Sequence, residues 1–296
     1  MKIGFVGLGI MGKPMAKNLL KKGYEVVCYD FNKANVNDVV ESGATAGISG
    51  KEVASQTDIV ITMLPNSPNV EAALFSENGI AAGLSEGKIV IDMSSINPVA
   101  SQQFAEKLAQ LGAEFLDAPV SGGEPKAIDG TIAVMVGGNK KIFDRCYDLL
   151  MAMSGSVTYV GEVGAGNITK LANQMVVAIN IAAVSEALSF ATKAGVNPEL
   201  VYKAIRGGLA GSTVMDAKSP MILDRNFEPG FRIELHIKDL QNALDTSHDI
   251  NVSTPLTAQL MEMMQVLKND GLEKKDHAAI AKYYEKMNNL TIESKS

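Results

Sequence analysis

The 296-residue sequence predicts an α/β domain with a parallel-rich sheet over residues 1–162, followed by an all-α domain over residues 163–296. Three observations carry this. The length suits two domains of ordinary size. In the first half, short runs that are apolar throughout alternate with amphipathic stretches of helical length. After Gly164-Ala165-Gly166 that rhythm stops, and helical spacing continues almost to the C-terminus. A composition of 46% hydrophobic and 20% charged residues is that of a globular protein.

The strand-like runs are residues 2–6, 25–29, 59–63, 88–92, 113–117 and 132–136, with helices expected between most of them, for example over 14–22 and 98–111. Strands apolar on both faces and separated by helices form a parallel sheet covered on both sides. In the second half, residues 171–185 contain no charge. Their apolarity is that of a membrane span, but Asn173, Gln174, Asn180 and Ser185 interrupt it. The expectation is a helix buried on most faces inside a soluble domain, with no membrane partner. Further helices are expected over 198–206, 235–248, 255–269 and 276–287, and only residues 293–296 have the look of a disordered tail.

A net charge of −6 argues against non-specific nucleic-acid binding. Cys28 and Cys146 make no metal-ligand or C-x-x-C spacing and read as reduced core thiols. The chain enters a strand directly, without a charged leader and cleavage site, so the expected location is cytoplasmic. The three histidines, His236, His248 and His277, are scattered in sequence, and no metal site is expected.

The clearest motif is Gly7-Leu8-Gly9-Ile10-Met11-Gly12, set between the first strand and the first helix. Gly7 permits the tight turn, Gly9 removes the Cβ that would block a pyrophosphate, and Gly12 lets helix and strand pack closely. The helix start offers unpaired N–H groups to phosphates. Asp30 ends the second strand, 18 residues after Gly12, where a carboxylate accepts both ribose hydroxyls and repels a 2′-phosphate. No Arg follows it closely, so the cofactor expected is NAD, with NADP the alternative. The domain is of Rossmann type.

Lys170 is the strongest chemical candidate outside that loop. It opens the uncharged stretch, and Asn167, Asn173 and Gln174 share its helix face. A lysine held against a buried helix loses hydration and gives up its proton more readily, suiting it to protonate an alkoxide as hydride reaches a carbonyl carbon. The competing reading is a lysine snorkelling to solvent. The small-residue loop Ser121-Gly122-Gly123 follows a strand and could hold a carboxylate through backbone N–H groups and the Ser121 hydroxyl; a plain turn is the alternative. Phe231, Leu235 and Lys238 lie at i, i+4 and i+7 on one helix face.

Four segments together resemble the β-hydroxyacid dehydrogenase family over nearly the whole chain: Gly4 through Gly12, Asp117 through Gly123, Gly164 through Gln174, and Phe231 through Leu240. Within the family, Gly122 through Gly130, Arg206 through Thr213, Leu235 through Leu240 and Tyr283-Tyr284-Glu285 are similar to the branch that reduces 2-hydroxy-3-oxopropanoate to D-glycerate. The resemblance implies a Rossmann-type domain, a long connecting helix and an all-helical domain that assembles into homodimers or homotetramers. It implies that Lys170 is the general acid and that Ser121, Gly122 and Gly123 grip a substrate carboxylate. It further implies cofactor contacts from Leu64, Pro65, Asn69, Ser95 and Lys238. The partner expected is a small carboxylate-bearing aldehyde or hydroxyacid, with 3-hydroxyisobutyrate, glyoxylate or succinic semialdehyde as alternative substrates. A dinucleotide-sensing protein without chemistry ranks last. Two departures stand out. The isobutyrate branch carries Asn-Asn at the third and fourth positions after the lysine, whereas this chain has Asn173-Gln174, which leaves open the amide that orients the substrate. Phe31-Asn32 follows Asp30 where many relatives place Arg.

Overall fold

The computed structural model describes residues 1–294; of the expected tail, Lys295 and Ser296 lie outside the described residues. Nine strands form one sheet: β1 (Lys2–Val6), β2 (Glu25–Tyr29), β3 (Thr45–Ala46), β4 (Ile59–Thr62), β5 (Ile89–Asp92), β6 (Glu114–Asp117), β7 (Val120–Ser121), β8 (Ile132–Gly138) and β9 (Ser154–Gly161). Between and after them run α1 (Gly12–Lys21), α2 (Lys33–Val40), α3 (Gly50–Gln56), α4 (Ser67–Phe75), α5 (Pro98–Ala109), α6 (Gly123–Asp129), α7 (Lys140–Met151) and α8 (Ala165–Lys193). The rest is α9 (Pro198–Ile205), α10 (Thr213–Leu223), α11 (Ile233–Asp249), α12 (Pro255–Asn269) and α13 (Ala281–Asn288).

The sheet order is β3-β2-β1-β4-β5-β6-β8-β7, with β9 on the other side of β8. The first six strands are parallel, and β8 runs antiparallel to β6 and β7. Because side chains alternate across a strand, Ile3, Phe5, Ile59, Ile61, Ile89 and Ile91 enter one core, while Val27, Val60, Val90 and Phe115 enter the core on the opposite face. The order reverses between β1 and β4, and the crevice outside the carboxyl ends of strands at such a point is where α/β sheets bind ligands.

All six expected strands form. Three more were not expected. β3 and β7 have two residues each, too few to show a pattern. β9 is Ser-, Gly- and Thr-rich and mostly part-exposed, so it lacks the apolar run that marks the central strands.

The chain divides into two compact units, Met1–Lys170 and Leu171–Ser296. The first turn of α8 is fastened to the sheet, so it belongs to the first unit even though the helix continues. In the second unit, Ala178, Ile181, Val184 and Leu188 of α8 pack with Ile222, Leu240, Met264 and Ile280 into a separate core. The expectation that residues 171–185 form a helix buried on most faces is corrected by the structure, where buried, half-buried and exposed residues alternate along them. Helix α8 is long and apolar enough to cross a membrane, yet only 44% of its most apolar window is buried. Its buried residues recur every three to four positions, and Val176 and Phe190 on the remaining surface are 58% and 77% exposed.

Two glycines allow α8 to meet the sheet. A Cβ on Gly166 would stand 2.4 Å from the Asp117 carbonyl oxygen and 2.6 Å from that of Met135. One on Gly137 would stand 2.4 Å from Asp117 Oδ1. Backbone atoms cannot retreat from such an approach as a flexible side chain can. Gly166→Ala is therefore expected to destabilise the first unit by roughly 1–3 kcal/mol or more through overpacking. Thermal and urea unfolding measure this, and a wild-type midpoint would contradict the packing described.

Candidate functional site

The glycine loop leaves β1 at the point where the strand order reverses. Gly7 has φ +96°, and a Cβ there would lie 2.4 Å from the Met63 carbonyl oxygen. A Cβ on Gly12 would lie 2.0 Å from the Gly7 carbonyl oxygen. Both glycines are therefore required by the fold itself. Gly9 differs: it is exposed, and a Cβ there would meet nothing within 4 Å. Its lack of a side chain is needed only if something else approaches the loop. Helix α1 also begins without a side-chain cap at Met11, leaving its first N–H groups for a ligand. Ile10 is exposed, Met11 half-buried, and Leu8 buried. These residues fit a dinucleotide pyrophosphate.

Asp30 accepts from Leu8 N at 2.6 Å through Oδ2 and from Asn32 N at 2.7 Å through Oδ1. The ribose acceptor of the sequence reading thus also ties the glycine loop to the end of β2. Each carboxylate oxygen has a second lone pair for a hydroxyl. Phe31 beside it is 90% exposed, with its ring edge-on to Tyr29.

On the other side of β1, Leu64 N donates to Ser94 Oγ at 2.9 Å. Pro65 and Asn69 are exposed, and Asn69 N donates to Asn66 Oδ1, which caps α4. Ser94 is fully buried, and Ser95 next to it is half-buried. Sequence reading singled out Ser95 and missed Ser94, which fixes the Leu64 loop.

The largest omission from the sequence reading is Asp117. It is fully buried at the end of β6, where Oδ1 accepts from Gly164 N and Oδ2 from Asn167 N, both at 2.8 Å. Asn167, also fully buried, accepts from Ile96 N at 3.0 Å and donates to Ser101 Oγ at 3.1 Å. Asn167 is thus a fastening rather than a free amide beside Lys170. Together the two side chains fix the first turn of α8 against the loop carrying Ser95. Lys170 follows three residues later and is 6% exposed, which excludes the solvated-lysine reading.

Burial pushes the Asp117 carboxyl up to about 6, against the two backbone N–H groups that favour its charged form; Asp92, its partner in the β5–β6 register, raises it further. Asp92 is itself buried and accepts from Thr62 Oγ1 at 2.8 Å and Ser94 N at 3.1 Å.

Ser121 ends β7 and is half-buried. Gly122 and Gly123 follow at φ +142° and +71°, a region that L side chains rarely adopt, and α6 starts without a side-chain cap. This backbone is more specialised than a plain turn.

In the second unit, Asn173 Nδ2 donates to Gln174 Oε1 at 2.8 Å, and Gln174 Nε2 donates to Asp239 Oδ2 at 2.6 Å. Lys238 Nζ stands 3.1 Å from Asp239 Oδ1. His236 and His277 are not scattered in space: their Nδ1 atoms lie 2.9 Å apart, and the Phe231 ring packs on both. Forty-one residues separate them in sequence, and no local pattern marks the pair. Among the described residues no group of three or more His, Cys, Asp or Glu is placed to hold a metal. Cys28 and Cys146 are free and buried, and burial pushes both thiols up to about 11. The G-x-S-x-G string Gly83-Leu84-Ser85-Glu86-Gly87 precedes β5 instead of joining a strand to a helix, so it is no nucleophile elbow.

The raised Asp117 carboxyl has a consequence for stability. Its folded value, about 6, lies above the model-compound value of 3.8. The folded chain therefore holds more protons between these limits, and stability falls as pH rises from about 4 to about 6, by up to roughly 3 kcal/mol. Asp117→Asn removes this titration. Its unfolding free energy, measured by urea titration across pH 4–7, should lack that fall; an unchanged slope would contradict the assignment.

Residues 2–161 match the family described as the NAD binding domain of 6-phosphogluconate dehydrogenase, and residues 164–284 match NAD-binding of NADP-dependent 3-hydroxyisobutyrate dehydrogenase. The sequence is 40% identical over 289 residues to 2-hydroxy-3-oxopropionate reductase of Escherichia coli, covering 98% of this chain and 99% of that one. It is 36% identical to 2-(hydroxymethyl)glutarate dehydrogenase of Eubacterium barkeri, covering 98% and 97%. Among solved structures, 3-hydroxyisobutyrate dehydrogenase of Mycobacterium tuberculosis is similar with a TM-score of 0.88 and 29% identity, covering 95% and 98%. The chain belongs to the β-hydroxyacid dehydrogenase family, and it is an NAD(P)-dependent oxidoreductase acting on CH–OH groups.

Proposed function

We propose that the protein reduces 2-hydroxy-3-oxopropanoate to D-glycerate. The observation that carries the reading is Lys170, a lysine 6% exposed at the start of α8, held there by Asn167 and Asp117. A bound reduced nicotinamide supplies the hydride. The Lys170 ammonium donates its proton to the substrate oxygen as negative charge develops there, and in the reverse direction the neutral amine takes the hydroxyl proton. Ser121, Gly122 and Gly123 hold the substrate carboxylate; Gly7 through Gly12 and Asp30 hold the cofactor, with Leu64, Pro65, Asn69, Ser95 and Lys238 as further contacts. The exposed Phe31 next to Asp30 offers no cation to a 2′-phosphate, which supports NAD over NADP. The buried thiols suit a reducing compartment, which we take to be the cytoplasm.

The choice of substrate rests on the Gly122–Gly130 and Arg206–Thr213 segments and on the 40% identical relative. Short aldehydes that differ by a methyl or a hydroxyl are separated by few contacts. A panel of semialdehydes and hydroxyacids, each scored by kcat/KM with NADH and NADPH, tests the choice. A preference for 3-hydroxyisobutyrate would replace it. Lys170→Ala should lose about 10²–10⁴-fold in kcat while still binding NADH by calorimetry; wild-type turnover in that variant would end the mechanism.

We also propose that the protein is a homodimer or homotetramer assembled through the second unit. The uncovered surface of α8 borders a groove of about 500 Å³ lined by Ala183, Ala187, Phe190, Leu256 and Met263. Phe190→Asp should sediment as a smaller species than the wild type, and a monomeric wild type would contradict the proposal.

A further inference from the structure

Helix α1 carries Lys13, Lys17 and Lys21 on consecutive turns of one face. That face lines a groove of about 480 Å³ within the first unit, walled by α2 through Asn35 and Asp38 and by α6 through Glu124 and Ile128. Asn18, 7% exposed, fixes the spacing of these walls: its Nδ2 donates to the Ala127 carbonyl oxygen at 2.8 Å and so ties α1 to α6.

The groove is short of negative charge. Three ammonium groups face two carboxylates there, on a chain whose net charge is −6. Asp38 serves two of the lysines at once, with Lys17 Nζ at 2.6 Å and Lys13 Nζ at 3.1 Å. Bonds from Lys17 and Lys13 hold its carboxyl below the usual carboxylate range, so it stays charged. Among the described residues no carboxylate pairs with Lys21, whose Nζ reaches only the Asn18 amide oxygen, at 3.5 Å. Glu124 and Asn35 are half-buried in the facing walls, and among the described residues no side chain bonds to either of theirs.

These groups define what would fit. Lysines meet phosphate as point charges, and a compact dianion answers more of the excess positive charge than one carboxylate does. An ionised Glu124 can only accept, so it calls for a donor on the same molecule, and a hydroxyl supplies one to Asn35 as well. Ile10, Pro14 and Ile128 offer apolar surface to a carbon skeleton. The volume is that of a small-molecule site. Lys21 stands nine residues beyond Gly12, about 13 Å along the helix axis at 1.5 Å per residue, which sets this end of the groove apart from the glycine loop.

We propose that the groove between α1, α2 and α6 is a second ligand site, which takes a phosphorylated polyol with its phosphate on Lys17 and Lys21 and its hydroxyls donating to Glu124 and Asn35. The site does not depend on the substrate reading.

The test is isothermal titration calorimetry on the full chain with saturating NADH, so that the glycine loop is already filled. The probes are myo-inositol 1-phosphate, myo-inositol and inorganic phosphate at about 0.15 M salt; none carries a carboxylate for the Ser121–Gly123 loop or an aldehyde to be reduced. The inositol phosphate should bind at least about 10-fold more tightly than phosphate, and inositol should not bind. Lys21→Glu should weaken inositol phosphate binding by about 10-fold or more while leaving NADH affinity and kcat unchanged. Glu124→Ala should keep phosphate binding and bring the inositol phosphate down to the same affinity. No binding of inositol phosphate, or binding that survives Lys21→Glu, would overturn the proposal. So would equal affinity for phosphate and inositol phosphate in the wild type, which marks a cationic surface that holds any anion. An equal loss of NADH affinity in Lys21→Glu would also overturn it, by making the groove part of the cofactor site.

Discussion

A buried carboxylate at the end of β6 receives two peptide N–H groups from the start of a helix 29 residues long. Much of the molecule depends on that contact. Asp117 satisfies donors that every helix start leaves unpaired, and it does so where Gly137 and Gly166 have cleared the space a Cβ would fill. Asn167 completes the fastening by holding the loop after β5 through Ile96 and α5 through Ser101. Lys170 inherits its place from these bonds: one turn into α8, out of water, on the first unit's side of the boundary. A lysine on an isolated helix would extend to solvent; this one is buried and follows directly on the fastened turn.

The same logic recurs at residue 174, where α11 holds the next turn of α8 by its backbone and its side chain together. Consecutive turns of α8 are thus held from outside the helix, the first by the sheet and the second by α11. Rigid elements carrying short polar contacts hold reacting groups more closely than loops do. The dinucleotide loop is built on a different principle. Gly7 and Gly12 are demanded by backbone packing, whereas Gly9 is left open by the fold and has meaning only toward a ligand.

How legible this was in sequence depended on how local each determinant is. The glycine loop, Asp30 and the six apolar strands declare themselves within a few residues. The short β3 and β7 and the polar β9 lack the length or the apolarity that marks a strand. Asp117 stood in plain view ahead of the Ser121 loop, yet its partners lie 47 and 50 residues away, and nothing nearby hints at a helix cap. The histidine pair was hidden for the same reason. The extent of burial along α8 was misjudged because composition reports what a helix tolerates, whereas the neighbours determine which stripe is covered.

The most direct measurement for the central claim, that a buried lysine on a fastened helix supplies the proton, is chemical rescue. Lys170→Ala with saturating NADH and aldehyde is assayed with added ammonium, methylammonium and ethylammonium, amines small enough to enter the space the side chain leaves. The account predicts turnover that rises with amine concentration and follows amine acidity once size is allowed for, alongside unchanged NADH binding. A variant that binds NADH normally and yet responds to none of these amines would contradict it.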